Sequence, residues 1–405
     1  MRRAACAAVA ILLVLVGISV GTTLAAPGTT PDGVRIVEWV RGHGGSSLVA
    51  WAENVWYSHH KPPVGGRPAP GLIPRAGHGA RAQAGAASAR GGASAGAPAL
   101  PAHLPSPPPI PQLAGVSVAG EGAWQPIGPT AGGLPTMEAA YVAPDAVHTS
   151  LVTAVVWMDT KLVSGRLFAG SQVPGTGTWA STSPLTGPSE ANLVAAFNSG
   201  FRMQESQGGW YSEGHAAVPL RPGAASLVIR TDGTVGVGQW GRDFTMGPGI
   251  ASVRQNLSLI VDGGHPVPGL TDNGFQRWGA TLGNRVMVWR SGVGETPDGA
   301  LVYAGGPGLS ISSLADVLVR AGSVRAMELD INTEWVNFFS FVPPPGGAAK
   351  PAVGKKLLAD MMQPVDRYFH ADARDFVAIY LRPGAVSARK AGVPARAQAA
   401  PGTAG

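Results

Sequence analysis

Between Lys61 and Ile110, 33 of 50 residues are Ala, Gly or Pro. A stretch of that composition cannot bury enough apolar surface to offset its ordering entropy, and its prolines keep it extended. It divides the 405-residue chain, so any sizeable core must be built from the residues on its C-terminal side. Residues 111–385 are long enough for one, since a domain of that size removes about 70–75% of its unfolded surface from water.

The chain on the N-terminal side of the linker is of two kinds. Arg2 and Arg3 lead into an apolar or small stretch from Ala4 to Val20, and Thr23-Leu24-Ala25 is a fair small-residue cleavage site. Residues 1–25 therefore read as a signal peptide or an uncleaved signal anchor, with the length favouring the anchor. Either way the remainder is expected outside the cytoplasm, cell-membrane tethered or secreted. In residues 26–60 the apolar positions Val34, Ile36, Val37, Val40, Leu48, Val49, Trp51, Val55 and Trp56 suggest two short amphipathic helices broken at Gly42–Gly45, a juxtamembrane stalk.

The formal net charge of +6 invites a nucleic-acid partner, but the excess lies in the tails. Residues 61–110 carry five basic residues and no acid, and 381–405 carry four and no acid. Residues 111–380 hold 17 Lys and Arg against 21 Asp and Glu, a net of −4, with no basic stripe, which argues against nucleic-acid binding. Cys6 is the single cysteine, so neither disulfides nor a Cys-based metal site can belong to the globular region. The core histidines His148, His215, His265 and His370 are scattered singly, without metal-ligand spacing. No cofactor is expected, and the pattern gives a divalent metal no support. Gly92-Ala-Ser-Ala-Gly96 matches a nucleophile-elbow spacing, but no strand precedes it and no helix follows, so it is linker.

Residues 111–385 read as short strands with turn punctuation at Leu151–Met158, Asn192–Phe197, Ala225–Arg230, Thr234–Trp240, Leu257–Val261, Arg285–Arg290 and Ala300–Ala304. One helix is expected after Ser313-Leu-Ala-Asp316, a capping-box spacing, running through Leu314, Val317, Leu318 and Ala321 to a stop at Gly322. A second is expected from Lys355 to about Gln363, ended by Pro364. The fold class is α+β, mixed and strand-rich with few helices, as a single domain behind a membrane segment and a disordered linker; residues 386–405 are a disordered tail.

The strand Val324–Asp330 follows the first helix, and its alternation places Glu328 and Asp330 on one face. Two carboxylates about 6.6 Å apart at Cα suit paired acid–base or nucleophile work at a sugar carbon, with a structural pairing to a buried Arg as the alternative. Phe197-Asn-Ser-Gly-Phe201 ends a strand in a turn that would point a side-chain amide outward. Arg221, Arg242, Arg254, Arg277 and Arg290 are forks suited to phosphate, if they converge.

In order, Asn198-Ser-Gly-Phe201, Arg277-Trp-Gly-Ala-Thr-Leu-Gly283, Asp298-Gly-Ala-Leu-Val302, Leu314-Ala-Asp-Val-Leu318 and Ala326-Met-Glu-Leu-Asp330 resemble the phosphodiester glycosidase family, over roughly residues 152–341. The family's first motif reads Asn-Gly-Gly-Phe, so Ser199 is a mild departure. Its last usually continues in a run of glycines, where this chain has Ile331-Asn-Thr-Glu-Trp335. The resemblance implies hydrolysis of a sugar-1-phosphodiester at the anomeric bond in envelope glycans or exopolysaccharide, with a carbohydrate phosphodiester as substrate. It implies Asp330 as nucleophile or base and Glu328 as its partner. Arg277, then Arg242 and Arg254, would hold phosphate, and Asn198 would bond a sugar hydroxyl or phosphate oxygen. Asn332, Glu334 and Trp335 would offer polar groups and a stacking ring in place of the glycines. The competing expectation is a glycan-binding envelope protein that keeps the glycosidase fold without catalysis.

Overall fold

The structure is a computed structural model that describes residues 2–26, 28–45, 47–49, 51–52, 62–74, 101–113, 118–175, 177–270, 278–279 and 287–391. Short β-branched and apolar runs become strands, as expected, and Ala225–Arg230 keeps the boundaries read from sequence. Eight strands form one antiparallel sheet in the order Gln125–Pro126, Met137–Val142, Thr153–Met158, Leu301–Leu309, Val288–Glu295, Arg325–Ile331, Leu259–Asp262 and His265–Pro266. A second sheet has the order Val235–Gln239, Ala225–Arg230, Ile250–Gln255, Trp210–Ser212 and His215–Val218. A third has the order Gly354–Lys356, Phe338–Phe341, Leu193–Asn198, Phe376–Leu381 and Val163–Phe168.

One apolar cluster joins all three sheets. It takes Val293, Tyr303, Met327 and Leu329 from the large sheet, Leu227 and Val237 from the second, and Phe197, Phe338 and Val377 from the third. The opposite face of the large sheet, with Val155, Val302 and Ala326, is covered by the helix Ile311–Arg320 through Leu314, Val317 and Leu318. Full burial of each such side chain is worth about 1.5–3 kcal/mol, which offsets the short helix's own marginal stability. Gly292 lets the helix lie close: a Cβ there would meet Leu318 Cδ1 and Met327 O at 3.0 Å. The fold is therefore strand-rich and mixed α+β with few helices.

Three expectations change. The helix is capped one turn earlier than the spacing suggested, by Ser310, whose hydroxyl accepts the Ser313 N–H at 2.9 Å while Ser313 Oγ accepts the Ser310 N–H at 2.9 Å. The helix expected over Lys355–Gln363 is absent: Gly354–Lys356 is an edge strand on Phe338–Phe341, and Leu357, Leu358 and Met361 enter the shared core from turns. The two ends of the linker lie on the domain. Residues 62–74 bury Ile73, and in 101–113 the buried Leu104 and Ile110 donate to Asp159 Oδ2 and Gly122 O, both at 2.9 Å. The elbow-like Gly92–Gly96 lies outside the described residues.

At the N-terminus a helix spans Arg2–Leu24 and a second Asp32–Val40, with an irregular turn at Arg41–Gly45 where the stalk break was expected. Among the described residues no helix is long and apolar enough to cross a membrane, so the membrane segment expected over 1–25 is not shown.

Candidate active site

The strand Arg325–Ile331 does not keep its alternation to the end. Across from it, Arg290 pairs with Ile331 and Gly292 with Glu328, so Ser291 alone opposes both Leu329 and Asp330. This is a β-bulge, which re-aims a side chain at a sheet's end. Up to the bulge, Ala326 belongs to the helix-side core, Met327 and Leu329 to the shared core. Beyond it, the Asp330 carboxylate meets Arg374 from the third sheet's side, at 2.9 Å from Oδ2 to Nη2.

The two carboxylates therefore have different partners. Glu328 forms a buried ion pair with Arg290, whose Nε also donates to Leu309 O at 3.1 Å. Asp330 Oδ1 accepts the Ile331 N–H at 3.0 Å, and Oδ2 accepts from Arg374. They share no partner, and each is paired with a buried arginine, the structural alternative weighed from sequence. Burial pushes both carboxyls up to about 7, opposed at Glu328 by Arg290 and at Asp330 by Arg374. Removal from water dominates over the arginine's attraction in each case.

Asn198 ends the strand Leu193–Asn198 and is buried. Its amide points inward, against the turn-outward expectation. Nδ2 donates to Ser291 Oγ at 2.9 Å, and Oδ1 accepts from Tyr303 OH at 3.3 Å and Asn337 N at 3.2 Å. Ser291 Oγ in turn accepts the Asp330 N–H and donates to Asp330 O, both at 3.2 Å. Asn198 and Asp330, 132 residues apart in sequence, thus meet on one hydroxyl at the bulge. The adjoining Gly200 has φ +152°, a region that favours glycine, and its carbonyl accepts from Arg374 Nη2 at 3.0 Å.

Of the arginines chosen from sequence, Arg254, Arg242 and Arg290 are each bound to a carboxylate other than Asp330. Arg254 is fully buried, with Nε on Asp375 Oδ2 at 2.8 Å, Nη1 on Gln255 O at 2.7 Å and Nη2 on Phe201 O. All three of its nitrogens donate within the protein, so its fork is a structural joint beside the site. Arg242 is exposed and grips Asp262 at 2.6 and 2.9 Å and Asp243 at 2.8 Å on the surface. Arg277 lies outside the described residues.

The cation at Asp330 is instead Arg374. The turn Ile331-Asn-Thr-Glu-Trp335 closes when Asn332, at φ +78°, accepts the Val336 N–H at 3.1 Å. That turn sets the Trp335 ring 4.6 Å from the Arg374 guanidinium carbon and 5.5 Å from that of Arg367. Arg367 is itself held by Asp372 at 2.6 and 3.3 Å, and Asp372 Oδ1 accepts the Arg374 N–H at 2.8 Å. Among the described residues, Arg374 Nε and Asn332 Oδ1 are buried without a partner. Such atoms cost about 1–3 kcal/mol each unless something completes them. The sequence carried one signal for Arg374, the charge cluster Asp372-Ala-Arg-Asp375 set directly before an apolar strand. Among the described residues no three His, Cys, Asp or Glu side chains gather as a metal site would need.

The arrangement is a buried carboxylate that titrates near neutral pH, pinned by a backbone N–H and a guanidinium. The Nε of that guanidinium is unfilled among the described residues, and a carboxylate so placed is capable of acid–base or nucleophilic work.

No protein-family model matches the chain, and no curated protein sequence matches it. Among solved structures, the catalytic domain of zebrafish N-acetylglucosamine-1-phosphodiester alpha-N-acetylglucosaminidase, auto-inhibited by its pro-peptide, is similar at 16% identity. That match covers 61% of this chain and 84% of that one, with a TM-score of 0.39. A hypothetical protein from Synechocystis is similar at 12% identity, over 64% of each chain, with a TM-score of 0.33. Both are weak likenesses of fold.

Proposed function

We propose that this protein is an extracytoplasmic hydrolase that cleaves the anomeric C–O bond of a sugar-1-phosphodiester in envelope glycan or exopolysaccharide, with Asp330 as its central carboxylate. The observation that carries the reading is Asp330 at a strand-end bulge, buried, held by Arg374 and the Ile331 N–H, with its carboxyl raised to about 7. The family resemblance of the surrounding motifs supplies the substrate class, and the basic and apolar N-terminus supplies the compartment.

The chemistry asks little beyond these groups. A phosphomonoester leaves the anomeric carbon with the bonding electron pair and needs no proton, so general-acid help is dispensable. Water attacks the same carbon and gives its proton to the Asp330 carboxylate, which must be ionised to accept it. Arg374 is the cation best placed to meet the phosphate, through the Nε that has no partner. Trp335 fixes the plane of that guanidinium. Glu328, committed to Arg290, supports the strand that carries Asp330.

The test is release of free sugar from an N-acetylglucosamine-1-phosphodiester and from UDP-N-acetylglucosamine by the full chain, beside Asp330→Asn. Release by the parent and a loss of at least about a hundredfold in the variant is expected; equal release by both proteins removes Asp330 from the reaction. A second reading, glycan binding without catalysis, is favoured by the commitment of Arg254 and Arg290 to internal carboxylates. Binding of envelope polymer by a parent that releases no sugar would select it.

A further inference from the structure

Away from Asp330, the third sheet's edge strand Val163–Phe168 meets the strand Ala225–Arg230 of the second sheet at a groove of about 400 Å³. That volume is within the range of small-ligand sites. Its lining includes Arg166, Arg230, Ser164, Asn192, Thr231 and Tyr380. None of these belongs to the group around Asp330.

The groove is rich in donors. Arg166 lies over the Tyr380 ring at 5.3 Å and Arg230 over the Phe244 ring at 5.6 Å, so both guanidiniums rest on aromatic faces. Among the described residues neither forms an ion pair. Asp232, also in the lining, is a carboxylate that accepts the Thr234 N–H and hydroxyl, both at 2.9 Å, and keeps its charge near Arg230 and Arg382. Asn192 adopts φ +59°, a conformation Asn tolerates better than most residues, and its carbonyl accepts the Leu381 N–H at 2.9 Å. A register shift between Ile229 and Arg230 bulges the ladder at the groove wall before its last pair, Arg230 with Ile250.

We infer that this groove is a binding site for an anionic saccharide unit, distinct from the candidate active site. Arg166 and Arg230 would hold the phosphate or carboxylate, and Ser164, Asn192 and Thr231 would bond its hydroxyls. A guanidinium stacked on a ring can still donate from its N–H edge to an anion, and hydroxyl and amide groups at the same wall match a polyol. The inference does not depend on the proposed reaction, because it concerns binding at residues that reaction does not use.

The experiment is a titration of the ¹⁵N-labelled full chain with glucose 6-phosphate, glucose and inorganic phosphate, following the backbone amides of Gly165 and Gly233, which line the groove. Saturable shifts with glucose 6-phosphate are expected, with glucose and inorganic phosphate each at least about fivefold weaker. The double variant Arg166→Gln/Arg230→Gln, at exposed positions, is expected to weaken binding by about tenfold or more while leaving the thermal midpoint unchanged. Asp330→Asn is expected to leave these shifts as they are, which separates this site from the other. The inference is overturned by silence of both amides, by equal affinity for inorganic phosphate, or by undiminished binding in the double variant.

Discussion

Replacing Arg374 with Met removes the charge opposite Asp330 while keeping an apolar stem against Trp335. The two side chains are 9% and 5% exposed, so water cannot substitute for the lost partner. Breaking a buried pair by removing one member costs about 3–5 kcal/mol when the survivor stays charged. The Asp330 carboxyl need not stay charged, since burial already holds it at about 7. Loss of Arg374 moves it higher still, so the cost of Arg374→Met depends on pH. At pH 5 Asp330 is protonated in both proteins, and the variant forfeits only the bonds from Arg374 to Asp330 and Gly200, about 1 kcal/mol. Above pH 7 the parent ionises Asp330 and the variant does not, so the difference grows by about 1.4 kcal/mol per pH unit until the variant's own carboxyl titrates. Urea unfolding at pH 5, 7 and 9 measures this directly, with a difference of up to about 4 kcal/mol expected at pH 9. A difference that is flat across that range, or that shrinks as pH rises, would refute the assignment of Asp330 and Arg374 as a coupled pair.

Two further outcomes rest on the same geometry. Because Asp330 and Glu328 both titrate higher when folded than the usual carboxylate range, the folded state binds protons more tightly than the unfolded chain. Their contribution to stability is therefore fullest below about pH 4 and is lost as pH rises to about 7, whereas sugar release, needing ionised Asp330, rises through about pH 7; a pH–rate profile without a limb near 7 in the parent would deny Asp330 the base role. Ser291→Ala takes away the hydroxyl that joins Asn198 to the Asp330 backbone and is expected to cost about 1–3 kcal/mol in urea unfolding, with sugar release falling more than the folded fraction does; a fall matched to the folded fraction would make the hydroxyl purely structural.

Much of the strand pattern was legible because the runs are short, β-branched and bounded by Gly, Pro and Asn, as at Ala225–Arg230 and Thr153–Met158. The helix start was misplaced because Ser313 serves as the third helical residue of the box and Ser310 as its cap. Leu357, Leu358 and Met361 carry helical spacing, yet the edge pairing of Gly354–Lys356 takes that segment's first turn. At the site, Asp330 and Asn198 were visible as residues, but what joins them was not. Period-two alternation puts Glu328 and Asp330 together, and only the pairing of Ser291 with two residues reveals the bulge that gives them separate partners. Arg374 stands 44 residues beyond Asp330 and outside the stretch that carries the family resemblance, so spacing alone could not select it. Two of the arginines selected from sequence, Arg254 and Arg242, are satisfied by carboxylates that only the fold brings to them, Asp375 and Asp262.

The joining of Asn198 to Ser291, and of Ser199 to Asp375 O, spans 93 and 176 residues of chain. Closing such long loops costs entropy before the contacts they bring can offset it. Asp330 rides on the large sheet while Asn198 and Arg374 come with the third, and the two sheets share one apolar cluster. A nascent chain released before residue 376 would lack the strand Phe376–Leu381 that sits between Leu193–Asn198 and Val163–Phe168. The Arg374 contact to Asp330 therefore needs residues that follow the Asn198–Ser291–Asp330 group in the chain, next to the strand Phe376–Leu381.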